Sequence, residues 1–494
     1  MRIVVPESQP IRSVDMIGIG RLTPYMIGVF AVLAILVLSS CRVNDPIEPG
    51  SVSVSTMQLT APDDSASVFE PFVAINPENP DQIIVGAQYG EGYNRGGLRF
   101  WIWNSNDGGE SWTSGERALR LLVRSPTMAA DLSIAFGHDG TAYFLGISGD
   151  SVRAGIPDAA LALAVSEDGG ESVRPLALLG KSIEYSPGVF DVSDKPWIAV
   201  DRRPSSPFFG NLYVAWTRVS VRMDTDPFSV TRKLVLSYSG DQGQSFSSEV
   251  FIADEGMGAQ LAVRRDGALD VVWLSVTEID GGGEIAEILH ARSIDGGHTF
   301  SQPGIIDSAP DTSKTFDLPT LADDGEGNLL ACWSRGGLDE SSIWTIWCSH
   351  LEVGSGWSEP RATVHPEPGT TSGYPAVAWR SDDWWLLNYE VDSEETRVLL
   401  SRSTDGHTFT VSDTLARIRL SSAEFCQSAM LPCRRDLQKF TPGDYIKLAA
   451  TINELAAAYV LPRLGDPEAR AEMWVSIIGV SNAGFSIVES SNDK

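Results

Sequence analysis

The stretch Ser105-Asn106-Asp107-Gly108-Gly109-Glu110-Ser111-Trp112 decides how this chain is read, because close copies of it recur. They run Ser166–Val173 (SEDGGESV), Ser239–Phe246 (SGDQGQSF), Ser293–Phe300 (SIDGGHTF) and, one residue short, Ser403–Phe409 (STDGHTF). A fixed pattern recurring at long intervals marks one supersecondary unit repeated along the chain. In each copy the Asp can accept hydrogen bonds from the N–H groups of a tight turn, and glycine supplies the positive φ. The closing aromatic or apolar residue then enters a strand. Asp107, Asp168, Asp241, Asp295 and Asp405 are therefore expected to be structural rather than catalytic.

These aspartates are separated by 61, 73, 54 and 110 residues, so the last gap holds two units. A degenerate turn, Gly354-Ser355-Gly356-Trp357, stands where the missing copy should be. A second repeat runs out of phase with the first. Apolar strands beginning at Pro71, Leu132, Pro196, Ala259, Pro319, Pro375 and Ile446 recur at intervals of 56 to 71 residues. Most are followed by turn residues such as Asp139-Gly140, Asp266-Gly267 or Gly327-Asn328, and then by another apolar strand.

The repeated turn resembles the Asp-box, or BNR repeat, of sialidases and other β-propeller proteins. The resemblance implies a turn between the third and fourth strands of a blade, away from the ligand face. Seven first strands but only six box-type endings leave the last unit without a fourth strand. The alternating segment Val52–Leu59 is free to supply it, and closure from the other terminus would remove the exposed edges of an open sheet. The expected fold is all-β, a seven-bladed propeller closed by an N-terminal strand. Six blades, as in the sialidases, with the last unit as an appendage, is the alternative.

The apolar run Met26–Leu38 ends in Leu38-Ser39-Ser40-Cys41. It resembles a signal peptide followed by a bacterial lipobox, which implies lipidation of Cys41. A transmembrane anchor is the alternative, although the run falls short of the roughly 20 residues a span needs. The expected organisation is a signal peptide over 1–40, with anchor, tether and closing strand over 41–60. The propeller then fills 61–484 and a tail 485–494. The expected location is the cell envelope, lipid-anchored at the outer membrane, as a monomer.

The formal net charge of −28 excludes nucleic acid and anionic lipid surfaces as natural partners. Membrane contact is expected through the lipid alone. Beyond Cys41, four cysteines remain, and export makes disulfides the default. Cys332 and Cys348 lie on adjacent strands, and Cys426 and Cys433 bracket a short loop, so these two pairs are expected to be bonded. No metal site is expected from the cysteines and six histidines.

Chemistry in such a ring gathers where the innermost strands converge. Their leading ends carry Glu70, Asp131, Asp194, Asp317 and Asp444, with Lys195, Tyr374 and Tyr445 beside them. Carboxylates facing a shared cavity raise one another's pKa and can serve as general acid, general base or cation site. These carboxylates and tyrosines are the catalytic candidates, and Lys195 is the ligand-binding candidate. No cofactor is expected, while the acidic mouth is suited to a cation. Exposed aromatics such as Tyr89, Tyr93, Trp384 and Trp385 are candidates for stacking on sugar rings.

The sialidase resemblance implies an arginine triad, an R-I-P motif on the first strand, a Tyr–Glu nucleophile pair and an Asp acid. Here that strand reads Phe69-Glu70-Pro71-Phe72-Val73, with an acid where arginine is expected, and none of the seven first strands begins with an arginine. Ordinary exo-sialidase activity is therefore not expected. Two functions stay open: a glycan-directed protein that binds or hydrolyses a sugar at the channel mouth, and a non-catalytic scaffold for envelope proteins.

Overall fold

The computed structural model describes residues 52–480 except 62–65, 91–98, 116–127, 154–155, 226–228, 280–282, 338–341, 364–368, 421–424, 426–439, 441, 452–453 and 464–469. Cys41, Tyr93, Cys426 and Cys433 lie outside the described residues, and the expectations placed on them with it. Within the described residues every regular element is a strand, and the strands pair into seven antiparallel sheets.

Each sheet is one blade, and the first six are built from strands consecutive in sequence. Blade 1 consists of Ser67–Ile75, Ile83–Gly90, Arg99–Ser105 and Thr113–Gly115. The innermost strands of blades 2 to 4 are Met128–Phe136, Val189–Val200 and Gly256–Val263. Those of blades 5 to 7 are Thr320–Asp323 (preceded by Lys314–Phe316), Thr371–Arg380 and Lys447–Ala450. In the seventh blade Val52–Gln58 pairs with Ala471–Val480, in register from Val52 opposite Val480 to Gln58 opposite Trp474. Leu59 extends the pairing through its N–H, which donates to Met473 O at 2.8 Å. The expected closure is what the chain adopts, and the ring has seven blades.

The repeated turns share one geometry. Ser105 Oγ donates to Asp107 Oδ1 at 2.7 Å, and Ser111 N–H donates to the same oxygen at 2.9 Å. Ser239, Asp241 and Ser245 reproduce this at 2.7 and 2.8 Å. Hydrogen bonds from Ser111 and Ser245 hold the carboxyls of Asp107 and Asp241 down at about 2. In the four full-length copies the second glycine faces the preceding blade. A side chain at Gly109 (φ +87°) would press on Ile477 of blade 7, and one at Gly243 (φ +85°) on Leu176 of blade 2. The turn therefore fixes blade spacing, which accounts for the recurrence of the motif within this chain. Where the copy is missing, Ser355 N–H bonds Glu352 O at 3.1 Å and Leu351 bridges Trp357 instead.

Between blades the core is aromatic. Trp216, Trp273, Trp333, Trp344, Trp384 and Trp385 are fully buried, and removing a buried tryptophan typically costs about 3–5 kcal/mol. Trp384 and Trp385 thus cannot stack on a ligand. They open a second strand whose two faces are both covered by neighbouring blades, so alternation along it does not expose one of them. Tyr89 is half-buried and stacked on Trp101 at 4.6 Å. Cys332 and Cys348 stand directly opposite one another on paired strands and are disulfide-bonded.

Candidate functional site

The inner strands share one irregularity. Five lose register at corresponding places: Phe69/Phe72, Ala130/Ser133, Asp194/Trp197, Met257/Gln260 and Gly373/Ala376. The bulged residue of each adopts a left-handed backbone: Glu70 (φ 52°), Asp131 (54°), Lys195 (50°), Gly258 (65°) and Tyr374 (56°). A side chain in this conformation costs on the order of 1–3 kcal/mol and persists only where its surroundings hold it. Bulges re-aim side chains. Here Glu70, Asp131 and Lys195, from three successive blades, come together. At Gly258 there is no room for a Cβ, which would strike Leu318.

Lys195 is the hub. Its Nζ lies 2.6 Å from Asp131 Oδ1 and 3.5 Å from Glu70 Oε1, and it pairs closely with Asp444 Oδ2. Oxygens of Glu70, Asp131 and Asp444 lie within 4.8 Å of one another, so the cation between these carboxylates is the protein's own ammonium. Glu70, Asp131 and Asp444 are buried (0, 4 and 5 % exposed), while the Lys195 side chain keeps 14 % exposure. Gln88 Nε2 donates to Glu70 Oε2, and Glu70 N–H donates to Pro442 O at 2.9 Å. Gly443 (φ +98°) lies against Glu70, where any Cβ would clash with that side chain and its backbone nitrogen.

Asp194 is the chemically distinct member. It is half-buried and its carboxyl is raised to about 6, first by burial and then by the charge of Asp131, with which it shares a hydrogen bond. Burial pushes Asp131 up as well, but the Lys195 ammonium overrides this and holds it below its ordinary value. A carboxyl pair this close cannot both ionise freely, so one proton is held between them at mildly acid pH.

The other candidates are placed around this cluster. Asp317 is buried and its Oδ1 accepts from Leu318 N–H at 2.9 Å. Tyr374 is buried against Tyr389 and Phe425, with ring centroids at 6.0 and 6.2 Å. Tyr445 OH donates to Leu132 O at 3.3 Å across to blade 2. Asp317, Tyr374, Asp444 and Tyr445 line a cavity of about 30 Å³. Beyond the bulges the inner strands enclose a larger channel of about 240 Å³.

Sequence reasoning misses two participants. Gln88 ends the apolar run Ile83-Ile84-Val85-Gly86-Ala87, and a lone amide on a buried strand is a legible sign of a polar partner inside. Tyr185, 61 % exposed, sits on a short strand that extends blade 3 past the mouth, its hydroxyl donating to Asp191 at 2.9 Å.

No protein-family model matches the sequence, and no curated protein matches it. Among solved structures the chain is similar to an ulvan lyase, at 11 % identity and a TM-score of 0.49, over 83 % of this chain and 93 % of that one. It is similar to an α-L-arabinofuranosidase of Fusarium graminearum at 10 % identity and 0.43, over 71 % and 93 %. A Hadza microbial sialidase matches at 15 % identity and 0.41, over 70 % and 65 %. At these identities the likeness is one of fold.

Proposed function

We propose that the channel mouth is a glycan-directed site at which Asp194 exchanges a proton with a neutral or amino sugar. The carrying observation is the hydrogen-bonded Asp131–Asp194 pair, with Asp194 near 6 and Asp131 held ionised by Lys195. A partly protonated carboxyl suits a general acid toward a glycosidic oxygen, and an adjacent carboxylate suits the positive charge that develops on the sugar. Glu70, Asp131 and Asp444 stand against one lysine, so a sialic-acid carboxylate would meet net repulsion. The exposed ring of Tyr185 beside the mouth offers a stacking face.

One observation favours a second reading, a non-catalytic binding platform. Glu70, Asp131 and Asp444 approach more closely than the roughly 5–9 Å between paired glycosidase acids, and Lys195 ties all three down.

Chromogenic neutral, amino and sialylated glycosides, assayed against the purified protein from acid to neutral pH, separate the two. The expected result is turnover of a neutral or amino glycoside that falls as pH rises through about 6, with sialosides untouched. Asp194→Asn is expected to lower that turnover roughly 10²–10⁴-fold. Because Asp194 prefers its proton when folded, native stability falls as pH rises from its ordinary value of 3.8 to about 6. The asparagine variant should therefore be more stable than the parent at neutral pH, by on the order of 2 kcal/mol, and no more stable well below pH 4. Glycan binding without turnover, unchanged in Asp194→Asn, would establish the platform. Sialoside turnover would overturn the charge argument.

We also propose that Cys41 carries a lipid that holds the exported chain at the envelope. The support is the uncharged run before it and the Leu-Ser-Ser-Cys ending. Cys41→Ser is expected to move the protein from the membrane to the soluble fraction, and retention would favour the apolar anchor.

A further inference from the structure

The channel behind the mouth has the opposite electrostatic character. Its wall of about 240 Å³ is apolar along the inner strands but carries Arg202, Arg203 and Lys447, with Asp323 the one carboxylate among its lining residues. Arg203 is already paired with Asp323. The Lys447 side chain makes no ion pair or hydrogen bond among the described residues. Its Nζ lies over the rings of Trp197 at 4.6 Å and Phe72 at 5.2 Å, the two aromatics themselves being 5.3 Å apart. Arg202 differs from it, being exposed to solvent and within electrostatic reach of Asp323 and Glu78.

An ammonium inside the channel without a carboxylate partner is costly, and it is out of character for a chain of net charge −28. Aromatic faces compensate an ammonium only in part. We propose that the central channel binds a small oxyanion, a carboxylate or a phosphate, between Lys447 and Arg202. The anion would reach it from the Arg202 end, away from the acidic mouth. This site is separate from Asp194 chemistry and does not rest on it.

Burial alone brings the Lys447 amine down to about 8, so its charge is within reach of titration. The ionisable groups lining the two cavities it touches are Arg202, Arg203 and Asp323 in the channel, and Asp317, Tyr374, Asp444 and Tyr445 in the small pocket.

Titration calorimetry of the purified protein with inorganic phosphate and, separately, with glucuronate tests the proposal. Saturable binding of either probe is expected, and which one binds identifies the occupant's chemistry. Lys447→Met and Arg202→Met should each weaken it roughly tenfold or more, while Asp194→Asn leaves it within about twofold. Binding to the parent should weaken as pH rises past about 8, and binding to Lys447→Arg should not. Lys447→Arg and Arg202→Met keep the test decisive if the methionine at 447 fails to fold. Absence of heat with both probes at millimolar concentration, or parent binding that does not weaken past about pH 8 and is undiminished in Arg202→Met, would overturn the proposal.

Discussion

Lys195→Met is expected to lower the unfolding free energy by about 3–5 kcal/mol at neutral pH, the usual cost of stranding a buried charge by deleting its partner. Here one deletion strands three carboxylates, those of Glu70, Asp131 and Asp444, all of them buried. Gln88 and the Pro442 carbonyl hold Glu70 in place, so it cannot swing out to water without breaking the left-handed bulge. The pH dependence has a definite sign. Asp131 is held below its ordinary value of 3.8, so its pairing stabilises the fold above that pH and is lost as pH falls through the lower folded value. The gap between parent and variant should therefore be widest near neutrality and should close below about pH 4. Urea unfolding midpoints at neutral and acid pH measure both, and a change under about 1 kcal/mol at neutrality would show the cluster to be energetically idle.

Starting the chain at Leu59 removes the whole closing strand, and a loss on the order of 5 kcal/mol is expected from some seven residues of paired backbone at about 1 kcal/mol per bond. The side chains contribute less, because Val52 and Val54 are only half-buried and Ser53, Ser55 and Thr56 are exposed. The larger consequence is topological. Ala471–Val480 would become a free edge beside blade 6, and an unpaired edge templates association between chains. The truncated protein should unfold at lower urea and run as aggregates on size exclusion. Adding the Val52–Leu59 peptide in trans should restore part of the midpoint. A truncated protein as stable and monomeric as the parent would show that the ring holds without its closure.

The architecture is legible in the repeat itself, because each unit carries its own local signals. The Ser-x-Asp-x-Gly turn satisfies its own hydrogen bonds within a few residues, as Ser105, Asp107 and Ser111 do, so its presence is a statement about local backbone. The Val52–Leu59 closure is legible by counting, since seven first strands and six box endings leave one strand missing. The Cys332–Cys348 pair follows from the hairpin that places the two opposite each other. Exposure is not legible. Trp384 and Trp385 look like surface aromatics beside Asp382-Asp383, yet the blades on either side cover the two faces of their strand.

The sequence alone specifies which residues stand at the leading ends of the inner strands, because strand periodicity and turn chemistry are local properties. What those residues are to one another is decided only by the ring. Glu70 and Asp444 are far apart in sequence and belong to blades 1 and 7, which meet only because the circle closes. Their shared contact with Lys195 of blade 3 depends further on bulges that turn Glu70, Asp131 and Lys195 toward the same point. The same convergence makes Asp194 an acid near 6 and its neighbour Asp131 a held carboxylate, although both are aspartates at the leading ends of inner strands. Electrostatic energy depends on distance and burial, and neither is a property of position along the chain.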